Sequence, residues 1–268
     1  MQYDPIKKSL GKFFNQSVWL RKFLYALLDL LLLRSWYIKR ELKKWTKIKE
    51  NDILALDAGS GFGQYTYFLQ SLNKNWLVKG VDVKTEQIED CNLFFTKAKR
   101  HHVTFEYGDL TVYKTQKKFD LILCVDVMEH IEDDVSVFNT FGNIIKEGGM
   151  LLISTPSDIG GSDVNHEHDA SFIDEHVRDG YNKEDITQKL HNAGFSKVKV
   201  IYSYGKYGKV AWKLSMKFPI SMLNISKLFF ILLPFYYLIF YPIAFILNTL
   251  DINTSNKQGT GLIVTAEK

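Results

Sequence analysis

Only two cysteines occur in 268 residues, Cys91 and Cys124. They are too few and too far apart in the chain to form a disulfide framework. Cys124 lies inside an apolar, strand-like run, where a buried thiol is expected, so a reducing, cytoplasmic setting follows. Internal repeats and low-complexity tracts are also lacking, which excludes a repeat array. Acidic residues are absent from 186–250, which carries eight lysines, and charge of either sign is absent from Leu228 to Leu250. The chain as a whole is 46% apolar and 24% charged, the balance of a folded globular protein with enough apolar material for a full core.

The net charge of +4 hides an uneven distribution: residues 1–50 hold twelve Lys/Arg against Asp4, Asp29, Glu41 and Glu50. Such asymmetry calls for an anionic surface as partner, either nucleic acid or membrane. Between residues 51 and 203 short β-rich runs alternate with helical stretches. Strands are expected at Ile53–Asp57, Trp76–Val83, Val103–Tyr107, Phe119–Val125, Met150–Thr155 and Lys197–Tyr202, and the final GLIVTAEK (261–268) reads as one more. Helices are expected at Gln64–Leu72, Thr85–Lys99, Asp133–Lys146 and Lys183–Ala193, the third ended by Gly148-Gly149 and the fourth by Gly194. This alternation predicts an α/β fold with a doubly wound, mostly parallel sheet. The apolar runs at 53–57 and 119–125 fit strands covered on both faces.

The first strand runs into Asp57-Ala58-Gly59-Ser60-Gly61-Phe62-Gly63, with a helix from Gln64. Glycines here let an adenosine-type ligand lie against backbone at the carboxyl edge of the sheet. The spacing differs from the dinucleotide fingerprint. Asp57 would repel a pyrophosphate but suits a ligand with a cationic amine. Asp82, with Val83 beside it, ends the second strand nineteen residues after Gly63, a position from which a carboxylate accepts hydrogen bonds from ribose hydroxyls. Gly108-Asp109-Leu110 ends the third, where an acid can accept from an adenine amino group. Any one of these acids would pass for a turn residue; three at successive strand ends match three parts of one ligand.

LDAGSGFGQYT resembles the glycine-rich first motif of class I S-adenosylmethionine-dependent methyltransferases, and FDLILCVDVMEHIED (119–133) with IIKEGGMLLISTPS (144–157) is similar to their fourth- and fifth-strand motifs. The resemblance covers about residues 50–203 plus the last strand. It implies a seven-stranded, Rossmann-like sheet with an antiparallel last strand and S-adenosyl-L-methionine as cofactor. Asp57 would lie near the methionine moiety, Gly59 to Gly63 along the ligand, Asp82 on ribose and Asp109 at adenine, with Asp126 at the edge of the site.

Asp126-Val127-Met128-Glu129-His130 looks like the D/E-x-x-E-H stretch of ubiquinone-pathway O-methyltransferases, where a divalent metal has been associated with the acids and the histidine. On that likeness Asp126, Glu129 and His130 either hold such an ion or position a base; alternatively the stretch packs the turn. A second candidate is DVNHEHDASFIDEHVRDGY (163–181). His166 and His168 flank Glu167, but a closed zinc site needs four ligands and the spacing fits no familiar signature, so no metal set is assigned. The stretch through His176, Arg178 and Tyr181 to L-x-x-A-G-F resembles the acceptor-side insertion of bacterial methyltransferases acting on quinones, sugars and lipids. His166, His168 or His176 is expected to reach the acceptor, His176 foremost. The alternative is a solvated polar loop.

Two segments stand outside the α/β pattern: residues 1–50, an amphipathic, basic helical segment, and 204–260, an apolar helical insertion. Leu228–Leu250 is long enough to cross a bilayer. If 261–267 pairs with 197–203, however, both ends of the insertion lie on one side. Pro234 and Pro242 are expected to break the run, giving a re-entrant or surface-lying hairpin. Lys206, Lys209, Lys213, Lys217 and Lys227 would meet anionic head groups. In the first segment Trp19, Phe23, Leu24, Leu27, Leu28, Leu31 and Leu32 make a broad apolar surface flanked by Arg21, Lys22, Arg34, Lys39, Arg40, Lys43 and Lys44, an interfacial helix. Nucleic acid would call for basic residues interleaved with polar ones and is not expected. The segments could instead cap the core, form a lid, or build a homodimer interface. The function expected is methyl transfer, to oxygen, on a lipophilic acceptor at the cytoplasmic face of a membrane. The rivals are a soluble dimeric small-molecule methyltransferase and a catalytically silent assembly protein with a cofactor fold.

Overall fold

A computed structural model describes residues 17–47, 52–160 and 176–268. Seven strands form one sheet: β1 Leu54–Ala58, β2 Leu77–Asp82, β3 Val103–Tyr107, β4 Phe119–Val125, β5 Ile145–Pro156, β6 Lys197–Ser203 and β7 Gly261–Glu267. Their spatial order is β3-β2-β1-β4-β5-β7-β6. All pairings are parallel except those of β7, which runs antiparallel to both β5 and β6. This is the expected doubly wound architecture, with the order reversing direction at β1. Helices α1 Val18–Leu31, α2 Leu33–Thr46, α3 Gln64–Leu72, α4 Thr85–Lys97, α5 Asp134–Ile144 and α6 Lys183–Asn192 cover the sheet. Two apolar cores result, one on each face. β4 is buried through Leu121, Ile122, Leu123 and Cys124 because helices cover both its sides.

Two expected boundaries shift. The helix anticipated over Asp133–Lys146 ends at Ile144, and β5 begins at Ile145, five residues before Met150. Gly148 and Gly149 therefore lie inside a strand. Gly148 takes a positive φ of 69° opposite a register shift between Phe119 and Leu121, so these glycines make a strand irregularity instead of a helix stop. Gly194, by contrast, follows α6 in the left-handed conformation, as expected of a helix end.

The insertion between β6 and β7 is a helical hairpin. Its outgoing arm is α7 Lys206–Trp212, a π-helical turn Lys213–Lys217 and α8 Phe218–Ile225; a short 3-10 turn leads into the returning arm, α9 Leu233–Asn253. The run Leu228–Leu250 divides at Leu232, as expected near Pro234, which occupies the first turn of α9, where its missing N–H has no intrahelical acceptor. The expectation that Pro242 also breaks the run is corrected. Pro242 lies within the helix, which continues through it. Packing against the outgoing arm holds it: Tyr236 and Tyr237 donate to the Leu214 and Ser215 carbonyls, each at 2.8 Å.

The described part of the N-terminal segment, residues 17–47, holds two helices, broken at Leu32 in extended backbone. Tyr37, Ile38 and Leu42 join the core under the sheet, and Leu31 and Leu32 are buried as well. Trp19, Phe23 and Leu30 stay exposed. Both appendages meet at buried Asp251 near the end of α9, which accepts from Tyr37 Oη and Gly208 N at 2.8 Å each. Asp251→Ala would leave Gly208 N without its partner in a closed core, while Tyr37 Oη keeps only the Asp251 main-chain carbonyl at 2.9 Å. We expect a loss of about 2 kcal/mol, read as a lower urea midpoint with unchanged m-value.

Candidate active site

The carboxyl ends of β1, β2 and β4 open onto one edge, and the loop after β1 forms its floor. Gly59, Gly61 and Gly63 all have positive φ (75°, 51° and 80°). The reasons for glycine differ along the loop. A Cβ at Gly59 would lie 2.2 Å from Val127, so the segment after β4 closes on it. At Gly61 a Cβ would meet Gln87 Oε1 at 3.8 Å, an ordinary contact, so its left-handed φ rather than crowding favours glycine there. Ser60 Oγ is buried without a hydrogen-bond partner. An orphaned hydroxyl within a loop of left-handed glycines fits a ligand laid along this loop.

The predicted acids occupy three distinct environments. Asp82 accepts from Gly61 N at 2.8 Å through one oxygen and from Lys84 N at 2.9 Å through the other. It thus shapes the loop it faces, and exposed Val83 follows it. Asp109 is exposed and accepts from the Thr111 amide and hydroxyl at 2.9 and 2.7 Å, while Leu110 is buried beside it. Asp57 lies behind the loop, buried, accepting from Thr66 Oγ1 of α3 at 2.5 Å. Burial pushes its carboxyl up to about 6, helped by Asp82 and opposed by the Thr66 hydrogen bonds.

Beyond β4 the chain turns at Asp126, a non-glycine residue with φ 52°. Its carboxylate forms an ion pair with Arg34 at 2.8 Å. The next turn carries Glu129 and His130. Glu129 is 2% exposed and accepts from Thr155 Oγ1 at 3.2 Å. Burial, then the neighbouring Asp126, push its carboxyl up to about 8. His176 arrives here from 46 residues later in the chain. Its neighbour Val177 donates its N–H to the Glu129 carbonyl at 3.0 Å. Arg178 and Tyr181 then anchor this segment to Asp134 at 2.5 and 2.8 Å. The His130 and His176 rings meet edge-on with centroids 4.7 Å apart. Ligand-type atoms of Glu129, His130 and His176 all lie within 4.8 Å of one another.

The structure thus gathers three of the four residues expected to act on the acceptor. The fourth, His166, lies outside the described residues, as does His168. Asp126, which heads the D-x-x-E-H stretch, is absent from the cluster and pairs with Arg34 instead. Without Asp126 the cluster offers one buried carboxylate and two imidazoles. That is not the D-x-x-E-H set that the resemblance implied for a metal, and no step below uses one.

Sequence reasoning missed the contribution of the N-terminal helices. Arg21, expected on a basic flank, is 1% exposed and turned inward. It donates to the Phe62 carbonyl at 2.7 Å and pairs with Asp90 at 2.5 Å, and Tyr25 Oη donates to the same carbonyl. Arg34 roofs the edge beside Tyr204, whose hydroxyl accepts from its backbone N–H at 3.2 Å. No local signal distinguishes these arginines from the exposed basic residues around them.

A strand-order reversal at β1, a loop of left-handed glycines after it and acids at neighbouring strand ends define a nucleoside-binding Rossmann-like protein. Residues 49–203 match the family described as a methyltransferase domain. The chain belongs to that family, within the class I S-adenosylmethionine-dependent methyltransferase superfamily. It is 32% identical over 145 residues to a phosphoethanolamine N-methyltransferase of Triticum aestivum, covering 53% of this chain and 28% of that one. It is 28% identical over 124 residues to a ubiquinone biosynthesis O-methyltransferase of Pelagibacter ubique, covering 44% and 50%. The chain thus spans half or less of the length of these curated relatives. The solved Haemonchus contortus phosphoethanolamine N-methyltransferase 2 in complex with S-adenosyl-L-methionine superposes with a TM-score of 0.57 at 18% identity, covering 86% of this chain and 52% of that one. At that identity the likeness is one of fold.

Proposed function

We propose that this chain transfers a methyl group from S-adenosylmethionine to an oxygen of a lipophilic acceptor at the cytoplasmic face of a membrane. The carrying observation is buried Glu129 with His130 and His176 at the edge where the glycine loop opens. When bound, S-adenosylmethionine supplies an electrophilic methyl group on a sulfonium. Gly59 to Gly63 give it a backbone floor, Asp82 accepts from its ribose, and Asp109 with Leu110 borders its adenine. Asp57 acts from behind, holding α3 to β1 through Thr66. A hydroxyl acceptor must shed a proton as its oxygen takes the methyl group. Glu129, with its carboxyl near 8, is matched to accept that proton close to neutrality. His130, exposed, and His176, half-buried, lead from it toward solvent. The relatives' names include both O- and N-methyltransferases; a dedicated proton acceptor favours the hydroxyl. Chelator-sensitive activity restored by a divalent ion would overturn this metal-free assignment.

The lipophilic character of the acceptor rests on α9. By length and composition it could cross a membrane, and only 11% of its most apolar stretch is buried. A core helix of that composition would be mostly covered. Both ends of the hairpin return to the same end of the sheet, at Ser203 and Gly261, so the hairpin enters and leaves from one side. Phe235, Leu238 and Ile239 are each more than 60% exposed. The purified chain should pellet with liposomes, and Leu238→Glu with Ile239→Glu should weaken this about ten-fold or more. Lipid-independent dimers that never pellet would favour a soluble enzyme with an apolar interface instead.

A further inference from the structure

An open groove of about 770 Å³ runs along α1 and α2. One wall is basic, with Lys39, Arg40, Lys43, Lys44 and Lys47. The acids beside it are already engaged. Asp29 pairs with Lys39 at 2.5 Å and accepts from Gln64 at 2.8 Å. Glu41 is shared by Arg40 and Lys44 at 2.8 and 2.9 Å. Lys43 and Lys47 are exposed, stand four residues apart at the end of α2, and have no ion pair among the described residues. Among the described residues, the groove's positive charge is therefore left without an ion pair at one place. The other wall is apolar: Ala26, Leu30, Trp36 and Ile252. Trp36 packs against Phe245 of α9 with ring centroids 5.1 Å apart, and Tyr241 of α9 donates to the Leu30 carbonyl. The apolar wall is thus continuous with the exposed face of the hairpin.

From this pairing we infer that the groove seats the phosphate head group of an anionic phospholipid, with Lys43 and Lys47 at the phosphate and the acyl chains along Trp36, Phe245 and α9. The inference rests on the membrane reading above and adds a defined seat to it. Free phosphate would use the lysines but not the apolar wall; a phospholipid uses both. Bulk attraction between a basic protein and an anionic bilayer would depend on every surface lysine alike, whereas a seat depends on these two.

The test is sedimentation of the full chain with phosphatidylcholine vesicles, pure or doped with phosphatidylglycerol. Wild type should prefer the doped vesicles. Lys43→Gln with Lys47→Gln should reduce that preference roughly 25-fold, at about five-fold per charge, leave binding to pure phosphatidylcholine unchanged, and melt like wild type. Lys114→Gln with Lys117→Gln, exposed on the loop after β3, removes the same charge and should lower the preference less than two-fold. Equal losses in both double variants, or none in the first, overturn the seat. So does competition by inorganic phosphate at the concentration at which a short-chain phosphatidylglycerol competes. Equal pelleting with both vesicle types sinks the seat alone, while no pelleting with either sinks the membrane reading and the seat together.

Discussion

Glu129→Gln is expected to lower kcat by about two to four orders of magnitude while leaving donor affinity within about two-fold. Glutamine keeps the shape and can still accept from Thr155, but it cannot take a proton. The wild-type rate should climb with pH toward a plateau above about 8, the range to which burial and Asp126 push the carboxyl, and the variant should lose that limb. Stability gives a second readout with the opposite trend. A carboxyl whose folded-state value is raised stabilises the fold in its protonated form. That contribution is complete below the ordinary value of 4.5 and is lost as pH rises through about 8. Across this window wild type should lose unfolding free energy relative to Glu129→Gln. A variant with wild-type turnover would remove Glu129 from the chemistry. Retained turnover with a flattened stability profile would leave it as a buried packing group.

Asp82→Ala should weaken donor binding by about 10² to 10⁴-fold in calorimetry, the worth of two hydrogen bonds to a charged acceptor. The demethylated product should suffer equally, since the ribose is common to both. Because Asp82 also holds Gly61 N and Lys84 N, the alanine variant could act by loosening the loop. Asp82→Asn separates the two effects. Its remaining carbonyl oxygen can still hold Gly61 N, although its amide NH2 cannot accept from Lys84 N, and it offers a poorer acceptor to ribose, so it should melt closer to wild type than the alanine variant and still bind weakly. Tight binding by both variants would refute the ribose assignment.

The donor side of this protein is legible in the sequence because local rules govern it. Parallel strands covered on both faces read as apolar runs. A backbone shelf needs glycine at fixed spacing, and carboxylates at strand ends fall at predictable intervals. The cover over that site follows no such rule. A buried arginine is written in the sequence like an exposed one. Arg21 is inside only because Phe62, Asp90 and Cys91, each more than forty residues away, come together around it. Arg34 reaches Asp126 for the same reason. Gly148-Gly149 misled because paired glycines end helices and also permit irregular strands, and only the pairing of β4 with β5 decides between them. Pro242 misled because its helix-breaking tendency is local, whereas the contacts that hold α9 together reach across to the outgoing arm. His176 is an intermediate case. Its sequence context marks it as acceptor-side, but its meeting with His130 depends on the anchor at Asp134.

The reversal of strand order at β1 divides the labour of the molecule. Strands β1 to β3 handle a ligand that never varies, so their loops are held to tight tolerances, with Gly59 already in contact range of Val127. Strands β5 to β7 carry the segment with His176 and the apolar hairpin, to which the proposed acceptor contact and membrane contact belong. The apolar hairpin hangs between the adjacent ends of β6 and β7, leaving the register of the other half untouched. Such an arrangement lets one flank change without moving the strands that carry the donor loop.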